Sequence, residues 1–292
     1  MIRYALLFTL LLLSSFLLSC DSSTDVPSQI DTLYISSIDT IIMYDSLLQI
    51  DTIIIDSTQN KATITDNFLV SNGIIFEYYG TDTALTIPDS LAGQEIIALY
   101  KELSFSPKLT SITIPSSLLS IGKETFKSNH IHTLILPPHI TTIASEAFYM
   151  NEISRLTIPA SCTHIGPGAF FGNSITELII EEGLTAIEDA TFGDNLLTTL
   201  SIPATVTHIG GGAFRGNKLE EVTFSNGLLA IGGGAFFSNN LTAITIPKSV
   251  TTIGPGAFSN NPLSSITIEG DSTRFNSQWD EIAFPDSLKP TP

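Results

Sequence analysis

The residues of this 292-residue chain whose types could do chemistry are few: five histidines, two cysteines, two glycine triplets and one acidic cluster. His130, His132, His139, His164 and His208 could ligate a metal or move protons, but they form no H-E-x-x-H motif, and no G-x-S-x-G elbow or C-x-x-C pair accompanies them. Cys20 and Cys162 stand far apart in the sequence, which gives neither a disulfide framework nor a zinc spacing. Gly210-Gly211-Gly212 and Gly232-Gly233-Gly234 resemble phosphate-cradling loops in isolation. Glu177, Glu181, Glu182, Glu188, Asp189 and Asp194 could supply oxygen to calcium, and Asn240-Leu241-Thr242 is a formal N-glycosylation sequon. Each of these readings depends on the elements that would position the side chains.

Composition narrows the classes. The chain has 29 acidic against 12 basic residues, a formal charge of −17 and a pI of about 4.4. Yet only 14% of its residues are charged and 43% are hydrophobic. A disordered acidic chain would be poor in apolar side chains, so a core is expected. Nucleic acid is excluded as a partner, because phosphate-backbone binding rests on Lys and Arg.

The positioning element is a repeat. From Leu109 the sequence recurs with a 22-residue period, in seven copies that run to residue 262 without insertion or deletion. Numbering from Leu109, positions 1, 4 and 6 are always apolar, position 13 is always Ile, position 18 always Phe and position 21 always Asn. Position 7 is Pro in five copies, and a residue without an N–H ends a strand there. Positions 2 to 6 therefore predict a short strand, one per coil, in a parallel sheet. A period of this length opening L-x-x-L-x-L is a leucine-rich-repeat signature, and the Ile-Pro, Ile-Gly and Ala-Phe elements resemble the BspA-type leucine-rich repeats of bacterial surface proteins. The expected fold is a mainly β leucine-rich-repeat solenoid capped at both ends. It has short parallel strands on one face and turns with short helical or 3-10 segments on the other.

The repeat absorbs most of the chemistry. The glycine triplets sit where other copies have turn residues such as Gly-Pro-Gly, and the sequon arises where the Asn turn abuts the next strand. Asn129, Asn151, Asn173, Asn195, Asn217, Asn239 and Asn261 suit a column bonding the bend before each strand. Cys162 replaces Leu, Ile or Val at position 10 and reads as a core residue. His164 and His208 share position 12 but lie two coils apart, about 9–10 Å, too far to share a metal. The acidic residues spread around their coil as a solvated face. No catalytic residue, metal or cofactor is expected, and the chain does not read as an enzyme.

Both ends depart from the repeat. Residues 68–108 hold a hairpin signal at Asn72-Gly73 and a degenerate first repeat at Leu85-Thr86-Ile87-Pro88, and residues 263–292 keep one strand pattern before abandoning the Ala-Phe limb. Trp279, the sole tryptophan, reads as cap packing.

Residues 1–19 carry Arg3 and an apolar run from Tyr4 to Leu18, the shape of a secretory signal. The run ends at Leu17-Leu18-Ser19-Cys20, which resembles a bacterial lipoprotein signal. The resemblance implies lipidation of Cys20 and membrane attachment, at the outer membrane or cell surface. Asp21 resembles inner-membrane retention signals of some bacteria and surface-export signals of others. Residues 20–67 form an acidic stalk rich in Ser, Thr and Ile, with eight Asp, one Lys and no Gly between 21 and 67. Asp-hydroxyl tripeptides centred on Thr32, Thr40, Ser46, Thr52 and Ser57 resemble O-glycosylation acceptors of one group of gut and oral bacteria. The alternative is an extended stalk in which aspartates block edge pairing. Nearly half of the charge excess, −8, sits in residues 21–80.

Recognition remains as a function. On the strand face, positions 2, 3 and 5 are mostly Thr, Ser and Glu, with His132 and Arg155 as exceptions. Position 19 offers a stripe of Tyr149, Phe171, Arg215 and Phe237 beside Lys127. These rings either bind a ligand or shield the Phe column beneath. The resemblance implies a non-enzymatic surface lipoprotein that binds a protein or cell-surface ligand, in adhesion to host proteins, other cells or surface polymers. The competing reading is a structural spacer of the envelope.

Overall fold

The computed structural model of the chain describes residues 63–101, 103 and 108–270. Cys20, the five Asp-hydroxyl sites of the stalk and Trp279 lie outside them. The chain divides after Ile64, and the described residues of the second unit, Thr65–Pro292, form a β-solenoid. Its seven full coils are 109–130, 131–152, 153–174, 175–196, 197–218, 219–240 and 241–262, here coils 1 to 7.

Strands form at positions 3 to 5 or 6, as in Arg155–Ile158, Glu177–Ile180 and Ala243–Ile246. They pair in parallel and one repeat apart: Arg155 faces Glu177, Thr199 faces Glu221 and Ala243 faces Ser265. Alternation leaves positions 3 and 5 outward on the concave face and points 4 and 6 into the core, as the exposed–buried pattern of Arg155–Ile158 records. Each coil also makes a second strand at positions 12 and 13, from Ser120–Ile121 to Thr252–Ile253, so the expectation of one strand per coil is too few. These strands stack in parallel too, with Ile121 beside Ile143 and Ile231 beside Ile253. The buried Ile at position 13 needs an inward-facing, extended backbone on that limb as well.

The far limb is built of turns, and there is no helical segment among the described residues. Its backbone gives the reason. Positions 16 and 20 have φ between +51° and +67° in all seven coils, whether Glu124, Glu146, Ala190 and Met150 or glycine stands there. A left-handed residue every few positions ends any helix. It also lets alternate N–H groups point along the axis: Glu124, Phe126 and Ser128 donate to Ser145, Ala147 and Tyr149 of the next coil at 2.7–3.0 Å.

Columns of identical side chains fill the interior. Phe126, Phe148, Phe170, Phe192, Phe214, Phe236 and Phe258 stack with centroids 5.3–5.7 Å apart, and none is more than 1% exposed. Burying one such ring is worth about 2–3 kcal/mol, but only through its neighbours in the adjacent coils.

Asn72 and Gly73, both at positive φ, turn a hairpin between Phe68–Ser71 and Ile74–Tyr78, the primed turn that Asn-Gly favours. The degenerate repeat then pairs Ala84–Thr86 with Ser111–Thr113, a wider separation than the regular period, while Ala98–Leu99 pairs with Ser120–Ile121 at the regular spacing. The small hairpin of Ser90–Leu91 and Gln94–Glu95 takes up the difference. At the other end, Ser265–Ile268 adds a further strand to Ala243–Ile246.

The strands of the concave face pair two by two, coil 3 with coil 4, coil 5 with coil 6 and coil 7 with Ser265–Ile268, so the ladder is broken between coils 4 and 5 and between coils 6 and 7 as well as at coil 2. Residues 133–136 of coil 2 form no strand, and none of their backbone N–H or C=O groups has a partner among the described residues. Coil 2 leaves this segment through Pro137-Pro138. Coils 1, 3 and 5 instead have a position-8 N–H, on Ser116, Ala160 and Ala204, that bonds a neighbouring carboxylate.

Candidate recognition surface

Most groups with chemical potential prove to be joints between coils. Each position-21 Asn accepts from the N–H of position 1 through Oδ1, as Asn195 does from Ile175 at 3.0 Å. From Asn173 onward each Nδ2 donates to the Phe carbonyls of two successive coils, as Asn195 does to Phe170 and Phe192 at 3.0 and 3.2 Å. Both ends of the amide are used in joining the coils. Coil 4 has Glu181-Glu182 where its neighbours have Pro-Ala. Glu181 accepts from Ala160 on one side, and Glu182 accepts from Ala204 and Thr205 on the other. Those two backbone donors hold the Glu182 carboxyl below the usual carboxylate range. Asp189 accepts from Gly211 at 2.5 Å in the same manner. The acidic cluster is therefore a set of staples, and no group of three His, Cys, Asp or Glu among the described residues is placed to hold a metal ion.

Cys162 is fully buried, and burial pushes its thiol up to about 11, so it is an inert core residue as its position implies. His164 and His208 occupy the same register with Ala186 between them. His130 Nδ1 and His132 Nε2 both lie against the Glu152 carboxylate, at 2.7 and 3.2 Å.

The position-19 stripe divides into two parts. Tyr149 and Phe171 stack at 5.2 Å, with the Lys127 ammonium 5.3 Å over the tyrosine and the Arg215 guanidinium 5.1 Å over the phenylalanine. Gly193 makes this possible: a Cβ there would come within 3.0 Å of the Phe171 ring. Lys127 also bonds Glu124 and Glu146, and the Glu146 contact is the main reason its ammonium is held above the ordinary lysine range. Arg215 lies 3.6 Å from Asp194. A row closed by cations at both ends, with Phe171 only 6% exposed, shields the Phe column more than it offers a platform. Phe237 stands beyond this row, 43% exposed. Arg155 belongs to the other surface, on the concave strand of coil 3.

The concave face holds what the residue inventory missed. Ile135 and Ile179 point outward from position 5 of coils 2 and 4, 79% and 49% exposed, where the other coils carry Thr or Ser. The signal was present as two aliphatics in an otherwise hydroxylated column. Beside Ile135, where the ladder opens, a groove of about 420 Å³ runs between coils 2 and 3, lined among others by Leu136, Arg155 and Pro159.

Comparison with known proteins assigns the array. A profile of the BspA type leucine rich repeat region matches in six copies, over residues 98–219 and 186–286. The chain belongs to the BspA-type leucine-rich-repeat family. Its solenoid is similar to a leucine-rich repeat protein from Bacteroides ovatus, with a TM-score of 0.55 and 20% identity; the alignment covers 73% of this chain and 63% of that one. The pneumococcal vaccine antigen PcpA aligns at a TM-score of 0.44 and 17% identity, over 77% of this chain and 91% of that one. No curated protein matches the sequence. No helix among the described residues of this BspA-type chain is long and apolar enough to cross a membrane.

Proposed function

We propose that the chain is a non-enzymatic bacterial surface lipoprotein, held to a membrane by lipid on Cys20 and raised by the stalk of residues 20–67, whose solenoid binds a protein ligand. One observation carries this reading: the polar groups of the far limb are joined between coils, whereas the concave face leaves Ile135, Ile179 and Arg155 outward. Exposed aliphatics beside a guanidinium suit recognition of another chain. The five Asp-hydroxyl sites at Thr32, Thr40, Ser46, Thr52 and Ser57 would make the stalk a glycosylated spacer. Several acyl chains on Cys20, each methylene worth about 0.8 kcal/mol when buried, would hold the protein stably. Adhesion to host proteins, other cells or surface polymers is the role that fits.

The spacer reading draws on a different observation, the closed row of Lys127, Tyr149, Phe171 and Arg215, which leaves that edge little to offer a ligand. Protease shaving of intact cells distinguishes exposure from burial in the envelope. Wild-type cells should release the solenoid, and Cys20→Ala cells should have lost it from the surface. Full protection of the wild-type protein would refute surface display.

A further inference from the structure

We infer that the outer edge of coils 6 and 7 binds a neutral saccharide. One sugar ring lies on Phe237, and its hydroxyls bond the Asn and Ser side chains of the cleft beside it. This goes beyond the protein-binding reading of the concave face and does not rest on it.

The phenyl ring is open because of what its neighbours do. Position 19 is Arg215 in coil 5 and Ser259 in coil 7. Arg215 turns its guanidinium away from Phe237 and sets it over Phe171, 5.1 Å from that centroid. Ser259 is too small to cover a ring. Among the described residues no other ring stacks on Phe237 and no cation lies over it. Its backbone is nevertheless fixed: the N–H donates to Gly234 at 3.0 Å, and the carbonyl accepts from Gly216 at 2.8 Å. The negative face of such a ring suits the C–H bonds that line one face of a pyranose.

The cleft supplies the polar half. About 520 Å³ opens between coils 6 and 7, directly after Phe237 in the chain, lined by Ser238, Asn239, Asn240, Asn260, Asn261 and Pro262. Asn239 and Asn261 are held as joints, each on the Phe carbonyls of two coils, so this wall is preorganised. The other side chains keep bonding capacity. Asn260 Nδ2 donates to Ser238 Oγ at 2.5 Å, which leaves Asn260 Oδ1 as an acceptor and the Ser238 hydroxyl as a donor. The side chain of Asn240 is exposed and bonds no described residue. Adjacent donors and acceptors match the vicinal hydroxyls of a sugar, each of which both gives and takes a hydrogen bond.

Charge selects the class of ligand. Positions 20 and 22 form the edge between successive coils, and every other adjacent pair of full coils brings Glu152, Asp194 or Lys218 there. Coils 6 and 7 bring Ser238, Asn240, Asn260 and Pro262, with no charge among them. An ionic ligand would meet no counter-charge in this cleft, and an uncharged polyol needs none.

The test measures binding to the full chain by saturation-transfer NMR. The probes are maltohexaose, cellohexaose, xylohexaose and mannohexaose, with a heparin hexasaccharide and a galacturonate hexamer as charged counterparts. At least one neutral probe should bind with a Kd of about 1 mM or tighter, and more tightly than either charged one. Phe237→Ser should weaken that binding about tenfold and Asn240→Ala about threefold, whereas Phe237→Tyr, which keeps the ring, should stay within about twofold. Both side chains are exposed, and circular dichroism checks that the variants fold. The inference is overturned if a charged probe binds more tightly than every neutral one, if binding is indifferent to Phe237→Ser or to Asn240→Ala, or if no probe binds. In each of those cases the reading of the concave face is untouched.

Discussion

The far limb and the concave face share the same 22-residue period, yet they use their side chains differently. On the far limb, Phe, Asn and the left-handed residues repeat in every coil, and each bonds or stacks on the coil next to it. On the concave face, positions 3 and 5 change from coil to coil, and the side chains reach solvent. A position that holds one residue type through seven coils is fixed by its neighbours above and below. A position that varies has a side chain free of that constraint, even where, as at positions 16 and 20, the backbone is held, and recognition has to be sought among such positions whose side chains reach solvent.

Breaking the far limb should have the largest effect. Phe192→Ala removes a ring from the middle of the stack and should cost about 3–5 kcal/mol, read as a fall in the thermal midpoint. Asn195→Ala leaves the buried N–H of Ile175 without its partner and takes one of two asparagine donors from each of the Phe170 and Phe192 carbonyls, which keep Asn173 and Asn217, and a loss of about 2 kcal/mol is expected in chemical denaturation. Ala190→Gly sharpens the comparison in the other direction. Ala190 has φ +54°, where a Cβ costs about 1–2 kcal/mol; offset by the greater freedom of glycine in the unfolded chain, a net gain of about 0.5 kcal/mol should appear in the same assay. The smallest effect belongs to Glu182. Its lowered carboxyl contributes stability that is present above the unfolded carboxylate range and is lost as pH falls through the folded value. Between pH 5 and 3, the midpoint of Glu182→Gln should therefore fall less steeply than that of wild type.

The repeat array was legible because its determinants are residue types at fixed spacing. Ile at position 13, Phe at 18, Asn at 21 and the Asn72-Gly73 turn each name their own conformation or burial. The left-handed backbone was not legible, because Glu124, Glu146, Ala190 and Met150 do not advertise positive φ; the axial hydrogen bonds impose it on whatever stands there. The second strand of each coil is too short for a period to show. The clamp over Phe171 depends on the absence of a side chain at Gly193, which only the stacking of coils explains. Ile135 and Ile179 were visible as letters but not as exposed groups, since an aliphatic beside two core positions reads as more core.

The thermal midpoint of the double variant Ile135→Ser/Arg155→Ala tests the division between the two faces most directly. Substitutions on a surface that the fold does not use should leave the midpoint within about 2 °C of wild type. A fall comparable to that of Phe192→Ala would mean that the concave face holds the solenoid together, and would contradict its assignment to recognition.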